Sequence, residues 1–334
     1  MTTKWTADGL LEKVRGFQAA CIITAGADLD LFTALGDRPM TAERLARELN
    51  ADPRAAAVLL DALVALELLV KQGDAYCVPA DVAELLAAGS PTNVLAGVRH
   101  QGNCLRRWDQ LARVVQTGRP AQREASIRGE AGDCASFIGA MNDFSGPMVL
   151  RIVERLSPLR FQRMLDIGGA SGTWTIAFLR AVPEGTAVLF DLPQVMPLAR
   201  ERLARAGLAD RVSLVAGDFD TDELPGGADF AWLSAIAHQN SREQNLALYR
   251  KIYSVLTAGG SLVIRDVVMD ASKTQPLAGA LFAVNMLVAT PAGGCYTFEE
   301  IREGLESAGF VRVRPLRADE QMDGLIEAFR PSSG

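Results

Sequence analysis

From Arg163 onward, short apolar runs alternate with helical patterns, and this alternation narrows the possible folds more than any other feature of the chain. "RMLDIGG", "TAVLFDLP", "RVSLVAGDF", "ADFAWLSAIA" and "GSLVIRDVV" read as strands, with helices such as "SGTWTIAFLRAVP" and "QVMPLARERLARAGL" between most of them. "TFEEIREGLESAGF" reads as a further helix, and "VRVRPLR" and "GLIEAFR" as late strands. Seven strands interleaved with helices predict an α/β fold on a doubly wound, mostly parallel, Rossmann-like sheet. At 334 residues the chain has room for a second unit, so the sheet is assigned to residues 159–334.

The first ninety residues are patterned differently. "TADGLLEKVRGFQAACIITAGADLDLFTAL" reads as one long helical region. "MTAERLARELN" follows, capped by Thr41 with Glu43 in its first turn. "ADPRAAAVLLDALVALELL" opens with Asp52 as cap and Pro53 at the first helical position. "LVKQGDAYCVP" then predicts two short strands around Gln72-Gly73-Asp74. Helices followed by a hairpin predict a winged helix over residues 1–90. Nucleic-acid reading is the competing use of such a unit. The helix that would read bases, however, carries only Arg54, Asp61 and Glu67 among Leu, Val and Ala. A net charge of −6 also offers no basic stripe for phosphates. So apolar a face suits a protein interface, and the unit is expected to join two copies of the chain as a homodimer.

Residues 91–158 read as a helical bridge, in which Pro147 kinks or divides the pattern of "CASFIGAMNDFSGPMVLRIVERL". The five cysteines form no C-x-x-C pair, which predicts reduced thiols and no zinc site. No signal-peptide layout opens the chain, and no apolar stretch reaches the roughly 20 residues of a membrane span. The expected location is the cytoplasm.

In an open α/β sheet, ligands bind outside the carboxyl ends of the strands. Five predicted ends carry a glycine or a polar group: "DIGGASG" with Asp166, Gly168, Gly169 and Gly172, then Asp191, Asp218-Phe219, His238 and Asp266. The glycines miss the G-x-G-x-x-G spacing of a dinucleotide site, which counts against a nicotinamide oxidoreductase. They still permit a tight turn at a helix N-terminus, where amide groups favour an anion such as a carboxylate. Asp191, about twenty residues on, is placed for ribose hydroxyls. Each member has a plainer alternative. Asp191 could cap the helix that starts near Pro193, and Asp218 could serve the turn "GDFDTD". His238 could be a satisfied loop histidine, and Asp266 could pair with Arg265 at the surface.

As a set, "LDIGGASG", "FDLP", "GDF" and a histidine after the fourth strand resemble the class I S-adenosylmethionine-dependent methyltransferases. The closest branch is the caffeic acid/hydroxyindole-type small-molecule O-methyltransferases and their bacterial relatives. The resemblance covers nearly the whole chain, including the winged-helix dimerisation unit and "YTFEEIREGLESAGF". It implies S-adenosylmethionine as methyl donor, S-adenosylhomocysteine as product, a small-molecule acceptor and no metal. Asp166, Gly168 and Gly169 would lie against the methionine end of the cofactor, Asp191 and Leu192 at the ribose, and Asp218 and Phe219 beside the adenine. His238 matches the family's general base, and Asp266 an acidic residue that orients it. Met141 and the segment "NMLVATPAGG", with Asn285 and Met286, match positions of the substrate pocket; plain packing is the alternative for these three. His100 is given no role.

Three departures from the family pattern stand out. Ser234, on the cofactor side, stands where a lysine is frequent. Gln239-Asn240 replace Asp-Trp after the histidine. Cys295, on the substrate side, falls where plant members carry a second glutamate beside the base.

Methyl transfer from a sulfonium is an in-line displacement, with the nucleophile held roughly 3–3.5 Å from the methyl carbon. A base matters only when the nucleophile arrives protonated. For a phenol of pKa about 10 and an ordinary histidine of about 6.5, full proton transfer costs roughly 4.8 kcal/mol. Transfer is therefore coupled to attack, where a placed base contributes about 10²–10⁴-fold. A histidine at this position points to a hydroxyl or thiol acceptor, so the expected reaction is O-methylation of a small, aromatic molecule. The alternatives are methyl transfer to S, N or C, or a cofactor-bound relative that hydroxylates or rearranges its substrate. A ligand-responsive DNA-binding regulator would need a basic N-terminal helix.

Overall fold

Residues 4–317 and 322–332 are described by a computed structural model of the chain. The chain divides into two units, Met1–Asp109 with Arg123–Asp143, and Gln110–Gln122 with Phe144–Gly334.

In the first unit, α1 (Ala7–Arg15), α2 (Phe17–Asp28) and α3 (Leu31–Leu35) replace the single long helical region expected from periodicity. The second break falls at Asp30, whose left-handed φ of 57° cannot continue a helix. β1 (Met40–Thr41), α4 (Ala42–Leu49), α5 (Pro53–Ala65), β2 (Val70–Gln72) and β3 (Ala75–Cys77) complete a winged helix. β3 pairs antiparallel with both β1 and β2. Thr41 and Asp52 cap α4 and α5, accepting from the backbone N–H groups of Arg44 and Ala55. α6 (Ala80–Leu86) and α7 (Leu95–Trp108) follow. Phe32, Leu35, Leu45, Leu60 and Leu63 are wholly buried in this unit's core. α1 buries nothing, and its Leu10, Leu11 and Val14, with Phe17 after it, are each at least half exposed.

The second unit begins with α8 (Leu111–Thr117) and takes the C-terminal part of α9 (Gly129–Leu156). Pro147 does not divide α9, although proline removes one internal hydrogen bond. The turns after it bury Val149, Ile152 and Val153, which offsets that loss.

Then come β4 (Arg163–Ile167), α10 (Thr173–Ala181), β5 (Thr186–Asp191), α11 (Met196–Arg205), β6 (Val212–Ala216), β7 (Ala228–Ser234), α12 (Arg242–Val255) and β8 (Leu256–Asp266). β9 (Val268–Met269), α13 (Leu277–Ala289), β10 (Tyr296–Thr297), α14 (Phe298–Ser307), β11 (Val311–Arg317) and β12 (Gly324–Phe329) complete the unit.

The sheet has seven strands in the order β11-β12-β8-β7-β4-β5-β6. β12 is antiparallel to both neighbours, and β8, β7, β4, β5 and β6 run parallel to one another. This is the doubly wound sheet expected from the alternation. Apolar side chains fill both faces, as central parallel strands require. Leu165, Leu233 and Ile264 pack with Leu248, Tyr249, Ile252 and Leu305 of α12 and α14. Met164, Phe230 and Trp232 pack with Trp174 and Phe178 of α10. Each such side chain contributes about 1.5–3 kcal/mol by leaving water.

Register then places the ligand edge. Ile167 lies beside Phe190 and Leu233, Asp191 beside Ala216, and Ser234 beside Arg265. The carboxyl ends of the five parallel strands therefore share one edge. The strand order reverses between β4 and β7, which opens a crevice there. Among the described residues, no helix is long and apolar enough to cross a membrane.

Candidate active site

The turn after β4 is shaped by what its glycines exclude. Gly168 has a φ of 68°, and a Cβ on it would meet Ile236 Cδ1 at 2.7 Å. A Cβ on Gly169 would meet Leu189 Cγ at 2.7 Å and Asp166 Cγ at 2.9 Å. The turn therefore tolerates no side chain at either position and leads bare backbone into the N-terminus of α10, a setting that favours an anion. Asp191 closes it from the neighbouring strand. Its Oδ2 accepts from the Ala170 N–H at 2.7 Å and its Oδ1 from the Leu192 N–H at 2.7 Å. Asp191 is not the helix cap its sequence position allowed: α11 starts after Val195 with no side-chain cap. Burial pushes the Asp191 carboxyl above the usual range, against the pull of those two N–H groups.

Asp218 does serve its own turn, its Oδ1 accepting from the Asp220 N–H at 2.9 Å. Leu192 is exposed, and Phe219 is half-buried against the sheet core.

Asp166 is wholly buried, with Thr175 Oγ1 donating to its Oδ2 at 2.5 Å. Burial pushes its pKa up to about 7; the Thr175 hydroxyl opposes this and the Asp191 charge reinforces it. Because the folded value lies above the ordinary 3.8, folding favours the protonated acid. That contribution is complete below pH 4 and is lost as pH rises toward 7. An Asp166→Asn variant lacks this titration. Its unfolding free energy in denaturant, without ligand, is expected to gain on the parent between pH 4.5 and 7, by on the order of 3 kcal/mol at most. Parallel stability curves across that range would contradict the assignment.

β7 ends at Ser234, three residues earlier than the apolar run "LSAIA" suggests. Ala235 takes a φ of 59°, and a 3₁₀ turn over Ala237–Gln239 follows. His238 sits in that turn and is 6% exposed. Its Nδ1 lies 2.8 Å from Asp266 Oδ1, and its backbone N–H donates to Asp266 Oδ2 at 3.2 Å. The carboxylate can only accept, so in the neutral imidazole Nδ1 carries the proton and Nε2 keeps the lone pair. Phe282 of α13 stands edge-on to the imidazole, with ring centroids 4.8 Å apart. The backbone N–H of Gly294 donates to the His238 carbonyl at 2.9 Å.

The departing neighbours have structural work of their own. Asn240 is buried and donates to Asn245 Oδ1 at 3.2 Å, and Asn245 donates to the Ala237 carbonyl at 2.8 Å. The Tyr296 hydroxyl donates to the Asn240 carbonyl. Ser241 and Gln244 form the capping box that starts α12. Gln239 is exposed and donates back to the Ala235 carbonyl.

Cys295 is buried with Val267, Met269 and Phe282, as an apolar filler. Burial, with Asp266 nearby, pushes its thiol up to about 12, so it stays protonated and offers the imidazole no second carboxylate. Asp266 forms no surface ion pair with Arg265. Both are buried, and alternation along β8 sends them to different partners.

On α13, Met286 is buried and Asn285 half-buried. Met141 lies in the part of α9 that belongs to the first unit. Sequence reasoning missed Phe282, Asn240, Asn245 and Arg265. For Phe282 the signal was available: it lies one helical turn before Met286, on the same face of α13.

Residues 108–311 match the family model of an O-methyltransferase domain, and residues 11–89 that of an O-methyltransferase dimerisation domain. The chain is 30% identical over 332 residues to a 3-hydroxy-5-methyl-1-naphthoate 3-O-methyltransferase of Streptomyces sahachiroi, covering 96% of this chain and 94% of that one. It is 29% identical to the N,N-dimethyltransferase OxyT of Streptomyces rimosus, over 97% of each chain. The solved structure of PigF with SAH superposes with a TM-score of 0.86 at 26% identity, covering 98% of this chain and 100% of that one. PigF is an S-adenosyl-L-methionine-dependent methyl transferase of a Serratia species.

Proposed function

The chain belongs to the O-methyltransferase family and is an S-adenosylmethionine-dependent methyltransferase of small molecules, and from that premise we propose that it methylates a hydroxyl group with His238 as general base. The observation that carries this reading is the buried His238–Asp266 pair, whose Nε2 is left as an acceptor at the ligand edge of the sheet. A free amine, a thioether or a carboxylate needs no base to lose a proton before attack, whereas a hydroxyl does.

The residues present fit the cofactor. The bare turn at Gly168 and Gly169, closed by Asp191, is a cradle a Cβ would fill. In this reading Asp166, Gly168 and Gly169 hold the methionine end, Asp191 and Leu192 the ribose, and Asp218 and Phe219 the adenine, with Ser234 alongside. When bound, S-adenosylmethionine supplies an electrophilic methyl group. The chain's own contribution is to place the acceptor and to receive its proton at His238 Nε2. Asp266 fixes the tautomer, and Phe282 restricts the ring. Asn285, Met286 and Cys295 are assigned to the acceptor side.

Incubation with methyl-labelled donor and a matched panel of phenols, anilines and thiols tests the reaction. Label is expected on phenolic oxygen. Label found only on nitrogen, carbon or sulfur would reject hydroxyl methylation while leaving the methyltransferase intact.

The chain is further proposed to act as a homodimer. The exposed Leu11, Val14 and Phe17 lie at the start of the matched dimerisation domain, with exposed Leu10 just before it, and an apolar stripe of this kind suits burial against a second copy. Sedimentation at micromolar concentration is expected to show a dimer, and a stable monomer would overturn this assignment.

A further inference from the structure

Arg265 is a buried cation that forms no ion pair with a carboxylate among the described residues. It is 2% exposed, and its immediate neighbour Asp266 is committed to His238. Nη1 donates to Ser234 Oγ at 2.7 Å, Nη2 contacts Met148 Sδ at 3.1 Å, and the guanidinium lies 5.0 Å from the Trp174 ring. Nε has no hydrogen-bond partner among the described residues. Burial pulls its pKa down to about 10, opposed by the charges of Asp266 and Asp323, so the group is still charged at neutral pH. A guanidinium taken out of water without a counter-charge is costly, and arginine is well matched to a carboxylate through its planar donor fork.

Its position says where that counter-charge comes from. Arg265 is paired with Ser234 at the carboxyl end of β7, beside the crevice where the strand order reverses. Trp174, over which it lies, is the second residue of α10, immediately after the glycine turn. Resting on the cofactor reading above, we propose that Arg265 binds the carboxylate at the amino-acid end of the cofactor. That carboxylate is the one negatively charged group S-adenosylmethionine and its product carry; the adenosine is neutral and the α-amino group is a cation, which Arg265 would repel.

Calorimetric binding of S-adenosylhomocysteine and of its decarboxylated analogue, without acceptor, tests this. The parent protein is expected to prefer the carboxylated ligand by at least about 10-fold, the scale of a charged hydrogen bond. Arg265→Met, which still covers Trp174, is expected to weaken S-adenosylhomocysteine about 10–100-fold and leave the analogue nearly unchanged. Arg265→Lys keeps the charge and is expected to retain part of the preference. It also serves if the methionine variant does not fold. Equal weakening of both ligands would mean that Arg265 only supports the fold, and equal binding of both by the parent would mean that it meets no carboxylate; either overturns the proposal. Binding of neither ligand by the parent would instead reject the cofactor reading, and this assignment with it.

Discussion

His238→Ala is expected to lower turnover about 10²–10⁴-fold, the usual contribution of a placed general base, while S-adenosylhomocysteine binds almost as tightly as before. The two effects separate because the imidazole is tied to Asp266 and Phe282, whereas the cradle is built from Gly168, Gly169 and Asp191 on other strands. The size of the loss should follow the acceptor. A phenol made acidic by electron-withdrawing groups is already ionised near neutral pH and needs little help, so its rate should fall far less than that of an unsubstituted phenol. Single-turnover rates across such a series, with binding measured in parallel, give both readouts. A loss that is uniform across the series, or matched by an equal loss of binding, would make His238 a structural residue.

Asp266→Asn carries the second large effect, because one carboxylate serves three donors. Oδ1 lies at 2.8 Å from both His238 Nδ1 and the Val267 N–H, and Oδ2 accepts from the His238 N–H at 3.2 Å. An amide has one accepting oxygen, so its NH₂ must face one of these N–H groups. A buried donor left without a partner costs about 1–3 kcal/mol, and unfolding in denaturant should show a loss of that size. Turnover should fall further than stability implies, by roughly 10²–10⁴-fold, because nothing then holds the proton on Nδ1 and the lone pair on Nε2. Single-turnover kinetics at saturating cofactor, set beside the unfolding curve, separate the two. A variant that is less stable but turns over at the parent rate would show that Asp266 shapes the turn without directing the base.

Much of this was legible in the sequence because it is local. The capping box Ser241–Gln244, the caps Thr41 and Asp52, and the apolar strands around Leu165, Leu189 and Leu233 depend on residues within a turn or a strand of each other. The polar strand ends were readable for a related reason: a parallel α/β sheet brings every carboxyl end to one edge, whatever packs around it. The break at Asp30 was not legible. Helical periodicity runs through it, and the left-handed Asp30 is held by Thr33 and by the distant Arg99, which both donate to its Oδ1 at 2.8 Å.

The sequence by itself determined the doubly wound sheet, the winged helix and the candidate residues along the ligand edge, since periodicity and spacing are properties of the chain alone. Tertiary structure decided which of those residues meet. Arg265 and Asp266 are adjacent in sequence and of opposite charge, yet one faces Ser234 and the other His238. Alternation along β8 points them apart, and the register of β8 against β7 fixes what each one reaches. The same register leaves Asp266 paired with the histidine and leaves Arg265 a buried charge with no ion-pair partner among the described residues.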